Sequence, residues 1–267
     1  MNRLTMTAIA ALIGAMALPV MANDHKVIST DNIKWGMLNP ARGDASPKAA
    51  DLWGDRTKDV ATGMLVKFQK GFSSPPHIHN ITYRGIVIDG LMHNDDPSAE
   101  KMWLPSGSFW TQPAGESHIT AANGDDNLIY LEIDSGPYLV KPVEQAFDNG
   151  ERPINMTENN LFWLNVKDAT WLEAGNAQIS YLWGKPDAAN GSFVKLPAGF
   201  KGAIESGNAL KAVVVKGSAT YQWGNQQALT ALTPSSFFSS DAQGKHVINA
   251  KTEVVLYVNS SGPFSVK

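Results

Sequence analysis

The chain has no cysteine among its 267 residues, so it can form neither a disulfide framework nor a thiolate metal site. Its 22 Lys and Arg residues are outnumbered by 25 Asp and Glu residues. This balance leaves no basic surface of the kind that binds nucleic acid or anionic lipid. The fold must therefore be stabilised by its apolar core, and a metal site must use His, Asp or Glu.

Helical patterns are also scarce. No segment keeps a helical period for three turns, and only "SPKAADLWG" is expected to hold one short helix. Short runs rich in β-branched and aromatic residues recur instead, such as "RGIVIDG" and "NLIYLEID", and Gly, Pro, Asn or Asp bound them. These runs predict an all-β protein.

The first 22 residues have the composition of a secretory signal peptide. Arg3 is followed by an uncharged run, and the small residues Val20 and Ala22 precede a cleavage point before Asn23. The strongly apolar part is shorter than the roughly 20 residues that span a bilayer. We expect removal of residues 1–22, a periplasmic or secreted protein, and no membrane contact afterwards.

The remaining chain contains an internal repeat. "GMLVKFQKGF" at 63–72 returns as "GSFVKLPAGF" at 191–200, a shift of 128 that also relates His118 to His246. The polar junction "FDNGERPINMTENN" separates the copies, as a linker would. We predict an internal duplication with an N-terminal domain at 23–150 and a C-terminal domain at 151–267. Barrels or jelly rolls suit such all-β domains because they minimise open sheet edges.

Three histidines are candidate metal ligands. His77 and His79 are one residue apart, so a strand would point both imidazoles to the same face. His118 follows the turn "PAGES" later in the same copy. Imidazole suits zinc, iron, nickel or copper, and three can hold an ion while leaving positions open. A solvated loop pair plus one core histidine is the alternative.

The spacing around these histidines resembles both signature motifs of the cupin superfamily. The matching positions are Gly71, His77, His79 and Gly90 in the first motif and Gly107, Pro113, Gly115 and His118 in the second. The chain looks most like a family of secreted two-domain cupins related to the cupin domain of ChrR-type anti-sigma factors, and no reaction comes with that resemblance. It implies two tandem jelly-roll barrels and one divalent metal (Fe, Zn, Ni or Mn) held by His77, His79 and His118.

One departure from the cupin pattern concerns the glutamate that usually joins the histidines. Its position holds Tyr83, and Arg84 comes next. We expect at least one of the two to complete the pocket as a catalytic residue: the phenol as hydrogen-bond donor or acid, or the guanidinium as a fork for a carboxylate. The alternative is that Tyr83 packs in the core and Arg84 is a surface cation.

Other polar residues are assigned no part in the site. Glu132 alternates with apolar neighbours and is expected to face water, and Glu116 is expected to lie exposed in a turn. His93, Asp95 and Asp96 are interpreted as a polar loop, and His25 as part of a mobile N-terminus without a role.

The C-terminal copy is expected to lack the metal site. A shift of 128 replaces His77 and His79 by Glu205 and Gly207, and only His246 survives. We expect this degenerate barrel to support the first barrel or an oligomer such as a homodimer.

The leading functional hypothesis is an exported two-barrel cupin that acts on a small molecule. Three neutral ligands leave the double charge of the ion uncompensated, which favours an anionic, chelating substrate such as an enolate, β-dicarbonyl or hydroxy acid. By analogy with three-histidine cupins, we expect a dioxygenase-like or lyase-like reaction. The alternative is a non-catalytic module that binds or senses a metal or small molecule, with some of the eight tryptophans as ligand platforms.

The export hypothesis makes the first testable prediction. Intact mass and N-terminal sequencing of the native protein should show a chain that begins at Asn23. A full-length chain recovered from the cytosol would contradict it.

Overall fold

The computed structural model describes residues 25–267, so the predicted signal peptide lies outside the described residues. The regular structure is strand apart from four short 3-10 helices, at Thr30–Asn32, Pro40–Ala45, Val143–Gln145 and Glu158–Asn160. The predicted all-β class is confirmed. Within residues 25–267, no helix has the length and apolar character needed to cross a bilayer.

The described chain contains 23 strands. Thirteen precede residue 157: β1 His25–Ile28, β2 Gly36–Met37, β3 Lys48–Trp53, β4 Thr62–Phe68, β5 Ile78–His79, β6 Tyr83–Asp89, β7 Leu91–Asp95, β8 Leu104–Pro105, β9 Phe109–Gln112, β10 Ile119–Ala122, β11 Asn127–Ile133, β12 Val140–Lys141 and β13 Ile154–Met156. Ten follow: β14 Gln178–Gly184, β15 Asn190–Leu196, β16 Lys201–Ser206, β17 Leu210–Lys216, β18 Ala219–Trp223, β19 Thr230–Leu232, β20 Phe237–Ser240, β21 Gly244–Ala250, β22 Val254–Ser260 and β23 Phe264–Val266.

These strands form two jelly-roll-like barrels. In the first, a seven-stranded sheet of order β13-β9-β6-β11-β4-β3-β2 accompanies the smaller sheets β10-β7-β8 and β12-β5. In the second, a six-stranded sheet of order β1-β20-β17-β22-β15-β14 accompanies a five-stranded sheet of order β19-β18-β21-β16-β23. Each barrel encloses its own cluster of buried apolar side chains, because alternate residues of each strand point inward.

Each large sheet takes one strand from the other side of the predicted domain boundary. Strand β1 pairs antiparallel with β20 of the second barrel, and β13 pairs with β9 of the first. The expectation that His25 lies in a mobile terminus is wrong. Its imidazole stacks on the Trp223 indole with ring centroids 4.7 Å apart, and this contact covers apolar surface of the second barrel.

Two further segments differ from the sequence-based expectation. "SPKAADLWG" holds strand β3 rather than a helix, because pairing with β4 buries Ala49, Ala50 and Leu52, and this outweighs local helix propensity. The segment with His93, Asp95 and Asp96, which is expected to be a polar loop, lies partly in strand β7. There His93 is fully buried opposite Ala121 of β10.

The outer faces of the two large sheets pack against each other. Their buried apolar side chains form a third core, which joins Leu52, Leu65, Ile86, Ile88, Phe109 and Tyr130 of the first barrel to Phe193, Val213, Val215, Phe237, Val255 and Tyr257 of the second. The face of each large sheet that points away from its own barrel is therefore covered by the other barrel.

Glu132 lies in this contact between the barrels, and the expectation that it faces water is wrong. Its carboxylate is only 1% exposed and accepts hydrogen bonds from the Tyr257 hydroxyl at 2.5 Å and the Asn259 amide at 3.1 Å. Arg84 adds an ion pair at 3.4 Å. Burial raises the pKa of Glu132, although the charge of Arg84 opposes that shift. Partners from both barrels thus compensate one buried carboxylate.

Removal of this carboxylate should destabilise the whole protein. In Glu132→Ala, Arg84 loses a buried counterion and the Tyr257 hydroxyl loses its acceptor, so we expect a loss of about 3–5 kcal/mol in the free energy of unfolding. Asp134→Ala is the matched control, because Asp134 also pairs with Arg84 but is 73% exposed, and it should cost less than about 1 kcal/mol. Urea unfolding of both variants measures the difference, and equal losses would contradict this account.

Candidate metal centre

The backbone brings two of the three histidines together. His77 and His118 form an isolated antiparallel bridge, in which each amide donates to the carbonyl of the other at 3.1 and 3.0 Å. His79 belongs to β5 and lies beyond Ile78, so its side chain points to the same face as that of His77. All three imidazoles are buried, and one nitrogen from each lies within 4.8 Å of the others. The predicted ligand set therefore converges on one point.

The orientation of each ring is set by a backbone carbonyl. The Nδ1 atoms of His77, His79 and His118 lie 2.9, 3.0 and 3.1 Å from the carbonyl oxygens of Pro75, Leu139 and Glu116, respectively. A carbonyl only accepts, so each Nδ1 carries the proton and each Nε2 presents a bare lone pair. This tautomer is the one that a metal-ligating histidine needs.

The same environment keeps the rings neutral. Burial lowers the pKa of His118 to about 3 and lowers the pKa of His79 well below its ordinary value, with the neighbouring histidines adding to both shifts. Burial also lowers the pKa of His77, and the nearby charge of Arg42 contributes. Neutral His77 and His79 place two bare Nε2 atoms 3.2 Å apart, an arrangement that a bound cation would stabilise. The donor set therefore fits a divalent transition metal.

Tyr83 lies beside the histidines. Its hydroxyl is 3.4 Å from His118 Nε2 and donates to the side-chain oxygen of Asn94 at 2.8 Å. Asn94 in turn donates to Gln112 and accepts from Thr120, each at 2.8 Å, so the phenol is held by a buried polar network. Burial raises the pKa of Tyr83 above its ordinary value, which keeps the hydroxyl protonated at neutral pH.

Arg84 does not reach the histidines. It follows Tyr83 in strand β6, so its side chain leaves the opposite face of the sheet. There its guanidinium pairs with Asp134 and lies over the Trp183 ring of the second barrel, 4.2 Å from the ring centroid. The expectation that Arg84 could offer a fork to a bound carboxylate is wrong, because that fork is occupied at the contact between the barrels.

Two further residues touch the site. The Tyr138 hydroxyl lies 3.1 Å from His79 Nε2, and its ring stacks on that imidazole with centroids 4.3 Å apart. No motif marked Tyr138, because it comes from an irregular segment whose path depends on the tertiary fold. Glu116 is half-buried rather than exposed, and it contributes its backbone carbonyl to His118.

A cavity of about 540 Å³ opens above His77 and His79. Its walls are mostly apolar, with Tyr138 and Thr120 among the few polar groups. Pockets of this size and character usually bind small molecules, whose orientation is set by a small number of polar contacts.

The second barrel has a different interior at the equivalent place. His246 lies opposite Ile204, as His118 lies opposite His77, so strand pairing makes Ile204 and Ser206 the counterparts of His77 and His79. The expectation that Glu205 is the counterpart is wrong by one residue: Glu205 points to the other face and pairs with Lys245 at 3.0 Å. The His246 nitrogens are 3.0 and 3.1 Å from the Tyr221 and Ser240 hydroxyls. Within residues 25–267, only the first barrel brings three such ligands together.

The chain shares its fold with cupin proteins, and its paired motifs resemble those of that superfamily. A family model described as "Domain of unknown function (DUF4437)" matches residues 26–267, and the chain belongs to that family. No protein of curated function matches the chain. The relation to ChrR-type domains stays a prediction.

Several solved structures share this fold at low sequence identity. A proposed dioxygenase from Nostoc punctiforme superposes with a TM-score of 0.69 at 13% identity, over 92% of this chain and 87% of its own. Salicylate 1,2-dioxygenase from Pseudaminobacter salicylatoxidans gives 0.61 at 13% identity, over 96% and 91%. Oxalate decarboxylase from Lactobacillus farciminis, solved as a formate complex, gives 0.60 at 11% identity, over 90% and 87%.

The turn before His118 provides a test of how the site is held. Gly115 has φ +79° and donates its amide to the His79 carbonyl at 2.8 Å, and a Cβ there would lie 2.4 Å from the Phe147 carbonyl oxygen. Gly115→Ala should therefore cost more stability than Gly71→Ala. Gly71 has φ +80° but open space around it, so its variant should show only the backbone strain of about 1–2 kcal/mol. Thermal unfolding compares the two, and equal costs would contradict the steric argument.

Proposed function

We propose that the first barrel binds one divalent transition metal (Fe, Zn, Ni or Mn) through Nε2 of His77, His79 and His118. The observation that carries this proposal is the convergence of three bare nitrogens, each fixed by a carbonyl bond at Nδ1. A bound metal would supply Lewis acidity at the floor of the cavity and a template for a chelating ligand.

The charge of the site supports an anionic, chelating substrate such as an enolate, β-dicarbonyl or hydroxy acid. The three ligands are neutral, and Tyr83 replaces the glutamate that would offset one charge of the ion. The proposed reaction is dioxygenase-like or lyase-like. Two proteins of similar fold, named salicylate 1,2-dioxygenase and oxalate decarboxylase, support both options at the level of fold alone.

Tyr83 and Tyr138 are the residues proposed to handle protons. Burial raises the pKa of both phenols, so each would keep its proton at neutral pH and serve as a donor rather than as a base. Tyr138 touches the cavity and His79, whereas Tyr83 is anchored by Asn94. Tyr83 would hold a proton beside His118, and Tyr138 would orient a ligand above His79.

A binding or sensing module is the second candidate function. The cavity lining within residues 25–267 includes no carboxylate, and its histidines are the proposed metal ligands, so an obvious general base is missing. Metal binding without turnover needs only the three imidazoles. With either candidate function, the proposed location is the periplasm or the outside of the cell, which only the residue pattern of positions 1–22 supports.

Metal analysis of protein purified without a polyhistidine tag tests the proposal. We expect close to one metal per chain in the native protein and close to none in His77→Ala or His118→Ala. His246→Ala and Tyr83→Phe should keep the metal, because neither side chain is a proposed ligand. Circular dichroism would establish that each variant retains its fold.

Two results would count against this centre. Full metal content in both ligand variants would mean that the ligands are elsewhere. Loss of metal in His246→Ala would mean that the second barrel takes part in binding.

A further inference from the structure

The cavity above the histidines has one charged side chain in its lining. Among the described residues that line it, Arg42 is the only Lys, Arg, Asp or Glu. The Arg42 guanidinium therefore lines the same cavity in which the proposed divalent ion would bind.

Among the arginines that the structure describes, Arg42 alone lacks a carboxylate counterion. Arg56 pairs with Asp51, Arg84 with Asp134 and Glu132, and Arg152 with Asp148. Within residues 25–267, no ion pair or side-chain hydrogen bond engages the Arg42 guanidinium, which lies 5.7 Å from the centroid of the Phe72 ring. An arginine held on an aromatic ring with its donor fork unused is prepared to bind an oxyanion.

The backbone that carries Arg42 is tied down. The 3-10 segment Pro40–Ala45 is capped by the Asn39 side chain, which accepts from the Ala41 amide at 3.1 Å. The loop is closed at its base, where the Leu38 amide donates to the Pro47 carbonyl at 2.8 Å. The backbone from which the Arg42 side chain extends is therefore restrained, which lowers part of the entropic cost of binding.

Apart from Arg42 and the histidines, most residues of the cavity lining are apolar, and Asn39, Ser74, Thr120 and Tyr138 are its uncharged polar members. Phe68, Phe72, Leu139 and Val140 line this wall and contribute no charge. The cavity lining therefore combines one cation, a set of apolar side chains and two of the three candidate metal ligands. This lining suits a ligand that has a charged group at each end and a short apolar spacer between them.

We propose that Arg42 binds a carboxylate at the far end of a dianionic ligand whose near end chelates the metal. This inference rests on the proposed metal centre and deepens it by naming the substrate class: small carboxylates with a second, chelating anionic group. With three neutral imidazoles, the ion and Arg42 together carry three positive charges, so a monoanion leaves more charge uncompensated than a dianion does.

A pair of matched probes tests this role without relying on turnover. The protein is loaded with Co²⁺, and its visible absorption is followed during titration with acetohydroxamate or with N-hydroxysuccinamate, which adds a carboxylate to the same chelating group. In the native protein we expect the carboxylated probe to bind roughly tenfold to a hundredfold more tightly, as a charge-assisted hydrogen bond would provide.

Variants of Arg42 test whether this residue causes the tighter binding of the carboxylated probe. Arg42→Gln should abolish it and leave the affinity for acetohydroxamate unchanged, whereas Arg42→Lys should keep part of it. Arg152→Gln is the control, since Arg152 is 70% exposed and does not line this cavity, and it should behave like the native protein.

The outcomes separate the two proposals. Equal affinities for the probes in the native protein, or a preference that survives in Arg42→Gln, would overturn the role of Arg42 and leave the metal centre standing. A protein that takes up no Co²⁺, or shows no spectral response to either probe, would overturn the proposed metal centre and the role of Arg42 with it.

Discussion

A short backbone bridge between His77 and His118 is the constraint on which the candidate metal centre depends. Two amide–carbonyl bonds of 3.1 and 3.0 Å hold residues from different motifs side by side, and the alternation of β5 then adds His79. Backbone carbonyls complete the arrangement by fixing each ring. Since main-chain groups supply these restraints, the orientation of the three rings is set by the fold itself.

The sequence predicted the parts of the site that depend on local spacing. His77, His79 and His118 were found from two motifs, and counting from His79 identified Tyr83 as the residue in place of a glutamate. The positions of Tyr138 and Arg42 depend on how irregular segments fold back over the barrel, so no local pattern marked them. Their contribution becomes visible only once the cavity is formed.

The errors at Arg84 and Glu132 have different causes. Alternation does not carry across the turn after His79, so it could not show that Arg84 points away from the histidines. Alternation along β11 predicts two faces correctly, but it does not reveal what covers each of them. The pattern alone favours solvent on the outer face, whereas the second barrel lies there and buries Glu132 to 1% exposure. The one-residue error at Glu205 arises because the repeat spacing in the sequence varies by one residue. Only strand pairing settles which residue faces inward.

The exchange of β1 and β13 has a consequence for how the two barrels can exist. A chain cut at residue 150 would leave β20 without its outer neighbour β1 and β9 without β13, so each fragment would expose a bare sheet edge. Bare edges recruit strands from other chains, which leads to aggregation. The two barrels are thus joined by exchanged strands as well as by the linker, and each completes its large sheet only with a segment from the other half of the chain.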